Sequence, residues 1–468
     1  MSTRPAPRRD PNGAMAALRP GVTLVLLMGL TWLTFQAVDP SFGDGRLAIF
    51  VGFVLVSASA AGTVASAMGL PRITGFIVIG IAAGPSLLAL LPTPAVDDLQ
   101  LIDDFALALI AMLAGGELQL AALRPRARAI GVATLVVTGV VWLGVALAVA
   151  AVSPIVPFLA DLSWTGLAAV ALLLGVWAAN SSPDLTVAVI EERRAEGPMT
   201  EILLGVTIVK DVVVIVLFTL TLALVTPLLD PAQPFSADAL VTLAEELGGS
   251  LVLGAAMGWV FSQYLGGKNT DARSPFATFL FAYLMIVLVN QLHMELLLTG
   301  VAAGFVIENL SPAGEKMIQG IRAVAVVIFA FFFTVAGARL DLGAVTQFWL
   351  AASVLILVRA WLTRLGAQKG LTWSGASEHV VRYSWKGLIS QGGVSLGLIL
   401  ILQEHFEAIG DDILALAMAV ILGNILAGPI LLAQALSAEE TGTTDETEQT
   451  QDSGAAGAAG AMAEEASS

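Results

Sequence analysis

The sequence predicts an all-α membrane protein of about fourteen transmembrane helices, with inverted five-helix repeats and two crossed broken helices. Three observations lead to this fold class. Of the 468 residues, 57% are hydrophobic and only 13% are charged, whereas soluble domains carry roughly 25% charged residues. Fourteen apolar runs are long enough to cross the roughly 30 Å hydrocarbon core of a bilayer. Two short motifs also recur in the same order at one spacing.

The apolar runs predict the helices in chain order. The least marked boundary is the split between the ninth and tenth runs, at residues 291–294. The runs lie at roughly 21–37, 47–69, 72–91, 101–120, 129–152, 164–190, 200–228, 238–264, 275–291, 295–310, 318–338, 345–367, 381–403 and 412–436.

The first run leaves two interpretations open, a retained helix or a signal peptide. It follows a basic segment, residues 1–20, as a signal peptide would. A retained helix is favoured because the run is long for a signal peptide and residues 37–40 make a poor cleavage site. The predicted segments are therefore a cytoplasmic basic N-terminus (1–20), an extra helix (21–46), a membrane domain (47–436) and an acidic tail (437–468).

The charges in the loops predict the orientation of the chain. Loops that carry Lys and Arg favour the cytoplasm, and alternation from a cytoplasmic N-terminus places both termini inside. The inside loops then hold Arg72; Arg124, Arg126 and Arg128; Arg193 and Arg194; Lys268 and Arg273; Lys316 and Arg322; Lys369 and Arg382. The outside loops hold Arg46 and Arg339 with Asp39, Asp97, Asp98, Asp161, Asp230, Asp411 and Asp412.

The tail explains much of the net charge of −15. Its acids stand among Thr, Gly, Ala and Ser, a composition that predicts a disordered, solvated segment. The chain has no cysteine, which excludes disulfides and thiol chemistry. It shows no basic patch with aromatic residues, so we expect no nucleic-acid partner.

An internal repeat connects the two halves of the chain. GIAAG (80–84) returns as GVAAG (300–304), and LAGGELQL (113–120) returns as VAGARLDL (335–342). Seven helices separate the copies, so the copies cross the membrane in opposite directions. Inverted repeats of this kind are typical of transporters, whose binding sites lie near the midplane where the repeats meet.

The sixth run is interrupted in its middle by ANSSPD, which spans Ala179 to Asp184 and carries Asn180, Ser181, Ser182 and Pro183, before the apolar run continues. Pro183 lacks a backbone donor and disfavours helix at the residue before it, and Ser182 can cap a new helix that begins there. This predicts a broken helix with free backbone groups at membrane depth. The partner break is predicted in SQGGVSLG (390–397), around Gly392 and Gly393.

Three ionisable residues are predicted at membrane depth: Lys210 and Asp211 in the seventh run and Arg359 in the twelfth. Such groups are costly in a bilayer and are usually functional. A carboxylate beside a broken helix can hold either a proton or a small cation. We therefore predict that a proton and the cation compete for binding to Asp211. Ser181, Ser182 and Thr207 are candidate oxygen ligands for the transported alkali cation, and no cofactor is expected.

Lys210 has two possible partners. It could pair with Asp184 across the break, or with Asp211 and release a proton when the cation binds. A purely structural ion pair remains the alternative to both. Arg359 stays charged, and we expect it to stabilise the crossed breaks or a nearby carboxylate.

Taken together, these segments resemble the monovalent cation:proton antiporter superfamily, in the branch of bacterial sodium/proton antiporters and potassium efflux antiporters. The resemblance covers roughly residues 47–436. It rests on PRITGFIVIGIAAGPSLL (71–88), FALALIAMLAGGELQL (105–120), ANSSPDLTVAVI (179–190), LLGVTIVKDVV (203–213), FFFTVAGARLDL (331–342), the spacing of Arg359 and Gly366, and SQGGVSLG.

The resemblance implies a homodimer in the bacterial inner membrane, a dimerisation domain and a mobile six-helix core with elevator-type alternating access. It also implies a role in pH and salt homeostasis, with Asp211 as the essential carboxylate. The residue before that carboxylate is usually Asp in electrogenic members and Asn in electroneutral ones, so Lys210 departs from both. Arg359 stands where electrogenic members typically carry Lys. A single acidic residue, Asp211, together with an Arg at that position favours electroneutral exchange. Asp184 stands where a small apolar residue is common.

Other classes are less favoured. A membrane protease would need paired aspartates, a Ser/His pair or an HExxH helix at membrane depth, and none is present in the sequence. A channel-like potassium efflux system, an organic-anion carrier that uses Lys210 and Arg359, and a non-transporting sensor remain as alternatives. Flux measurements would separate them, because only the exchanger couples cation movement to protons.

Overall fold

The computed structural model describes residues 43–229, 238–265, 275–311, 314–340, 342–406 and 409–465, together with Leu26 and Gly29. Within these ranges all regular secondary structure is helical. The extra N-terminal helix predicted at 21–46 lies mostly outside the described residues and stays a prediction.

Fourteen principal helices are described, joined by shorter helical pieces. They are α1 (Gly43–Ala67), α2 (Arg72–Ala83), α3 (Gln100–Gly116), α4 (Leu120–Val152), α5 (Trp164–Ala179), α6 (Pro183–Arg193), α7 (Pro198–Leu229), α8 (Asp238–Leu265), α9 (Pro275–Leu292), α10 (Leu296–Leu310), α11 (Gly314–Ala338), α12 (Leu342–Ser374), α13 (Gly393–His405) and α14 (Gly410–Glu465). A 3₁₀ turn, Ser384–Leu388, precedes α13.

From the second run onward, every predicted apolar run overlaps at least one of these helices, although α13 begins only at Gly393, in the middle of the thirteenth run. The sixth run forms two helices, α5 and α6, and α9 and α10 separate at the predicted boundary. The third run is helical only to Ala83, because Gly84 and Pro85 end α2 early. In the described residues, seven segments are long and apolar enough to cross a membrane by length and composition. The chain is thus a multi-pass membrane protein, and the count of fourteen spans stays a prediction.

The helices pack as two bundles. The core bundle contains α4–α7 and α12–α14, in which α4 packs against α12 and α5, and α12 packs against α14. The frame bundle contains α1–α3 and α8–α11, in which α10 packs against α3 and α8, and α11 packs against α2. Because α6 touches α3 and α11 as well as α14, this half-helix lies where the bundles meet.

Repeated glycines confirm the inverted repeat in three dimensions. A Cβ atom on Gly80 of α2 would lie 2.1 Å from the Thr334 carbonyl oxygen on α11. In the second copy of the motif, Gly304 on α10 would place a Cβ 2.1 Å from the Met112 carbonyl oxygen on α3, and its first-copy counterpart Gly84 would place one 2.7 Å from the Ala338 carbonyl oxygen on α11. In each half, therefore, the first helix of one repeat packs backbone to backbone against the second helix of the other. Only glycine permits this approach.

The last helix differs from the expectation for the tail. The sequence predicts a segment without regular structure from residue 437, whereas α14 continues as a helix to Glu465. Side-chain environments are described only as far as Ala438. Up to that residue α14 packs in the core bundle, and the solvated character of the tail stays a prediction.

Candidate functional site

The first break separates α5 from α6. Helix α5 ends at Ala179, and Asn180 turns the chain out with an extended backbone. Ser182 then caps α6, because its Oγ accepts from the Leu185 N–H at 3.2 Å and Pro183 occupies the first helical position. Residues 180–182 are buried yet non-helical. The break predicted from the sequence is therefore present.

The second break crosses the first. It runs from the 3₁₀ turn ending at Leu388 to Gly393, the first residue of α13. The Ser182 N–H donates to the Ser390 carbonyl oxygen at 2.9 Å, which joins the two breaks. Glycine is required at Gly392, since a Cβ there would lie 2.5 Å from the Ser182 Oγ and 3.0 Å from Asp184 Oδ1. The two half-helices α6 and α13 thus begin in direct contact.

Arg359 binds the carbonyl ends of both breaks. Its side chain is 1% exposed. Nε donates to the Ala178 oxygen at 2.6 Å, Nη2 to the Asn180 oxygen at 2.6 Å, and Nη1 to the Ile389 oxygen at 2.7 Å. A helix C-terminus leaves its last carbonyls without partners and carries partial negative charge. The guanidinium therefore satisfies and neutralises these ends, which matches the first of the two roles expected for it.

Lys210 does not make either of the ion pairs expected from the sequence. Its ammonium is fully buried and donates to Ser181 Oγ at 2.8 Å. Ser181 in turn donates to the Leu388 carbonyl oxygen at 2.7 Å. Among the described residues, Lys210 forms no ion pair with Asp184 or Asp211. The ammonium thus connects α7 to both breaks through a neutral hydroxyl.

Asp211 lies in α7 beside the first break and is 4% exposed. Asn180 is a polar neighbour of Asp211, and Asp184 and Glu295 are its acidic neighbours. The Asn180 Nδ2 group donates to Ser395 Oγ at 3.2 Å. Its Oδ1 has no hydrogen-bonding partner among the described residues, and the same is true of Asn180 Oδ1. Buried polar oxygens are ordinarily paired. One of these unpaired oxygens belongs to the Asp211 carboxylate and the other to the neighbouring Asn180 amide. A proton or a small cation bound at Asp211 would supply the missing interaction.

The remaining predicted ligands already have partners within the protein. Ser182 Oγ donates to Asp184 Oδ1. Asp184 stands in the first turn of α6 and near the start of α13, where helix N-termini favour a negative charge. Thr207 Oγ1 donates to the Leu203 carbonyl oxygen at 2.9 Å within its own helix. Of the predicted oxygen ligands, Asp211 retains an unpartnered oxygen.

Two cavities approach the crossing from opposite ends of α6 and α7. The larger, of about 1180 Å³, is lined by the C-terminal part of α6 and by Thr200 and Leu204 of α7. The smaller, of about 490 Å³, is lined by Asp184, by Gly392 and by the second half of α7 from Ile215 onward. Asp211 lines neither. It therefore lies between the cavities and is closed to both in this structure.

Sequence reasoning missed three polar residues near the crossing. Asn424 of α14 donates from Nδ2 to Gln391 Oε1 at 2.8 Å, and both side chains are fully buried. Glu295 caps α10 by accepting from the Leu297 and Leu298 N–H groups. Asn424 could have been found as a lone amide in the last apolar run. The cap formed by Glu295 was hidden at the least marked run boundary.

An inverted repeat whose broken helices cross beside a buried carboxylate defines a secondary transporter. Residues 54–438 match the family described as sodium/hydrogen exchanger, transmembrane. The chain therefore belongs to this family of cation:proton antiporters, and the resemblance inferred from the motifs is confirmed. The family is one of transporters rather than enzymes.

Solved structures show the same fold. The structure of the sodium proton antiporter MjNhaP1 from Methanocaldococcus jannaschii at pH 8 is 17% identical, with a TM-score of 0.61 over 85% of this chain and 97% of that one. An electron-microscopy map of the same antiporter gives 18% identity and a TM-score of 0.65, over 86% of this chain and 97% of that one. Curated proteins gave no match to the sequence.

Proposed function

We propose that the protein exchanges one monovalent cation, Na⁺ or K⁺, for one H⁺ across the bilayer, with Asp211 as the group that binds either ion. The observation that carries the proposal is the buried Asp211 carboxylate at the crossed breaks, with its Oδ1 unpartnered among the described residues. A proton or a cation at this oxygen would supply the missing interaction, and the two would exclude each other.

The charges around Asp211 support one-for-one exchange as part of the proposal. The Lys210 ammonium is bonded to a hydroxyl and the Arg359 guanidinium to carbonyls, so neither changes partner when Asp211 changes its ligand. Asp211 with a proton carries the same charge as Asp211 with one alkali cation. The loaded site would thus be equally charged in both directions of transport, and the net exchange electroneutral.

Alternating access would come from motion of the core bundle against the frame bundle. The two cavities support this, because they lie between the bundles at opposite ends of α6 and α7. A small displacement of α6 and α7 would join Asp211 to one cavity or the other. Rigid movement of one repeat-derived bundle around a central site is a general solution for inverted-repeat transporters.

The cellular setting belongs to the same proposal. Basic residues at the C-terminal end of α6 and at the start of α4 support cytoplasmic termini, and the resemblance to bacterial antiporters supports a bacterial inner membrane. We propose a homodimer in that membrane that serves pH and salt homeostasis.

The proposal is tested in proteoliposomes that contain a pH dye. Na⁺, K⁺ or Li⁺ is added outside, and proton movement is recorded for the wild type, for Asp211→Asn and for Asp161→Asn, an exposed acid remote from the breaks. Cation-driven proton flux in the wild type and the Asp161 variant, absent in Asp211→Asn, is expected. The cation that drives it names the substrate.

The alternative functions would give different transport measurements in the same proteoliposomes. Cation current without proton movement would identify a channel-like path. Transport of an organic anion without alkali-cation dependence would identify an anion carrier. The carrier is disfavoured because all three Arg359 guanidinium nitrogens already donate to backbone carbonyls.

A further inference from the structure

The second repeat holds a polar cluster that corresponds to the Asp211 site. We call Ser390, Gln391 and Asn424 the amide cluster. Asn424 lies on α14, the last helix of its repeat, as Asp211 lies on α7, the last helix of the first repeat. Ser390 and Gln391 belong to the second break, as Asn180 and Ser181 belong to the first. The inverted repeat therefore places one polar cluster beside each break.

The amide cluster is buried and only partly hydrogen-bonded. Gln391 and Asn424 are fully buried and Ser390 is 2% exposed. Asn424 Nδ2 donates to Gln391 Oε1 at 2.8 Å. This bond leaves Gln391 Nε2, Asn424 Oδ1 and Ser390 Oγ without a partner among the described residues. Three unpaired buried polar atoms at one place are costly unless a ligand satisfies them.

Residues 390 and 391 of the second break both contact α14, Ser390 at Gly428 and Gln391 at Asn424. A Cβ on Gly428 would lie 2.6 Å from the Ser390 Cβ, so Ser390 packs one helical turn beyond Asn424. The cluster offers a donor at Gln391 Nε2, an acceptor at Asn424 Oδ1 and a hydroxyl that can do either. A ligand that bonds to all of them must both accept and donate.

A cation does not meet this requirement. The Gln391 amide N–H groups would point toward it, no carboxylate belongs to the cluster, and the Arg359 guanidinium binds the neighbouring Ile389 carbonyl. A cation would therefore meet a donor and a nearby positive charge without compensation. A water molecule accepts from Gln391 and donates to Asn424 and Ser390, and buried waters commonly make about three such bonds.

We propose that the amide cluster is a buried water site that joins the second break to α14, and that the inverted repeat thus contains one ion site and one neutral site. The water would bridge Ser390, Gln391 and Asn424 and fix the break that Arg359 also binds. The water site stands whether or not Asp211 is the exchange site, whereas the contrast with an ion site rests on the proposed function.

The test is a high-resolution structure of the full chain in lipid nanodiscs, with Tl⁺ as an electron-dense monovalent probe. We expect a water-sized peak bonded to Gln391 and Asn424 that does not gain density with Tl⁺. A Tl⁺ peak in the amide cluster would overturn the proposal, and so would direct bonds that pair Gln391 Nε2, Asn424 Oδ1 and Ser390 Oγ with one another. Whether Tl⁺ binds at Asp211 tests the proposed exchange and has no bearing on the water site.

Thermal stability gives a second readout. Asn424→Leu leaves the Gln391 amide without any protein partner and should lower the melting temperature. Gln391→Leu with Asn424→Leu removes both amides and should recover part of the loss, because replacing both partners is nearly neutral. A double variant less stable than the single one would contradict a bridged amide pair. Gln347→Leu, whose partner Asp412 lies at an exposed helix end, is the control.

Discussion

At the scale of single residues, the site depends on which charged groups have all their hydrogen-bonding partners within the protein and which do not. Arg359 binds three carbonyls, Asp184 accepts from Ser182, and Lys210 binds Ser181. Asp211 keeps an oxygen without a partner among the described residues. The exchange chemistry is therefore expected to depend on Asp211. The other three charged residues are expected to hold the two breaks together.

Lys210→Met tests the place of the ammonium in this arrangement. The substitution removes a buried positive charge next to Asp211, so we expect tighter cation binding, on the order of tenfold in apparent affinity. Exchange should remain insensitive to membrane potential, because in the proposed cycle Lys210 keeps its partner throughout. Cation affinity and potential dependence in proteoliposomes are the measurements, with exposed Lys369→Met as the control. Potential-sensitive exchange in Lys210→Met would show that Lys210 takes part in coupling.

Arg359→Lys tests the carbonyl contacts. An ammonium cannot span three carbonyl oxygens that a guanidinium reaches together, and each unsatisfied buried group costs about 1–3 kcal/mol. We expect a clear drop in the melting temperature of the detergent-purified protein. Arg364→Lys on the exposed face of the same helix should change it little. Equal melting temperatures for the two variants would count against the structural role of Arg359.

At the scale of elements, the break in the sixth run was predictable because proline and serine at a helix start obey local backbone rules. The partner of Lys210 was not predictable. Periodicity fixes the direction of a side chain on its own helix, whereas Ser181 is brought to it by the crossing of two other segments. The amide cluster has the same origin, since Gln391 and Asn424 are 33 residues apart.

Gly304→Ala tests the close packing of α10 on α3. The added Cβ would lie 2.1 Å from the Met112 carbonyl oxygen, a backbone atom that cannot rotate away. We expect a marked loss of folded protein, measured by the monodisperse yield after detergent extraction. Gly320→Ala on α11 has nothing within 4 Å of its added Cβ and should behave as the wild type. Normal yield of Gly304→Ala would mean that α10 and α3 lie farther apart.

At the scale of the whole molecule, polar contacts join the bundles at the C-terminal end of α6. Arg322 of α11 binds Glu191 through Nε at 3.0 Å and also binds Glu117. The Arg72 N–H, at the start of α2, donates to Glu192 Oε1 at 2.7 Å. Glu191 and Glu192 end α6, whereas Arg72, Glu117 and Arg322 belong to the frame bundle. These contacts must break if the core bundle moves at this end.

Arg322→Gln is therefore expected to favour opening at the predicted cytoplasmic end. The chain has no cysteine, so a single introduced cysteine can report on each cavity. Ala188 lines the larger cavity and Thr219 lines the smaller one. In Arg322→Gln, a water-soluble thiol reagent should label the Ala188 position faster and the Thr219 position more slowly. Arg126→Gln breaks an ion pair with Glu201 inside the core bundle and is the control. If the ratio of the two labelling rates is the same as in the wild type, the contacts of Arg322 do not hold the cytoplasmic end closed.

The central claim is that one carboxylate, Asp211, binds either a proton or a cation. It is tested most directly by counting the protons released when a cation binds to the purified protein in weakly buffered solution. We expect one proton released per Na⁺ or K⁺ bound near neutral pH, and neither binding nor release in Asp211→Asn. Cation binding without proton release, or release that persists in Asp211→Asn, would contradict the account.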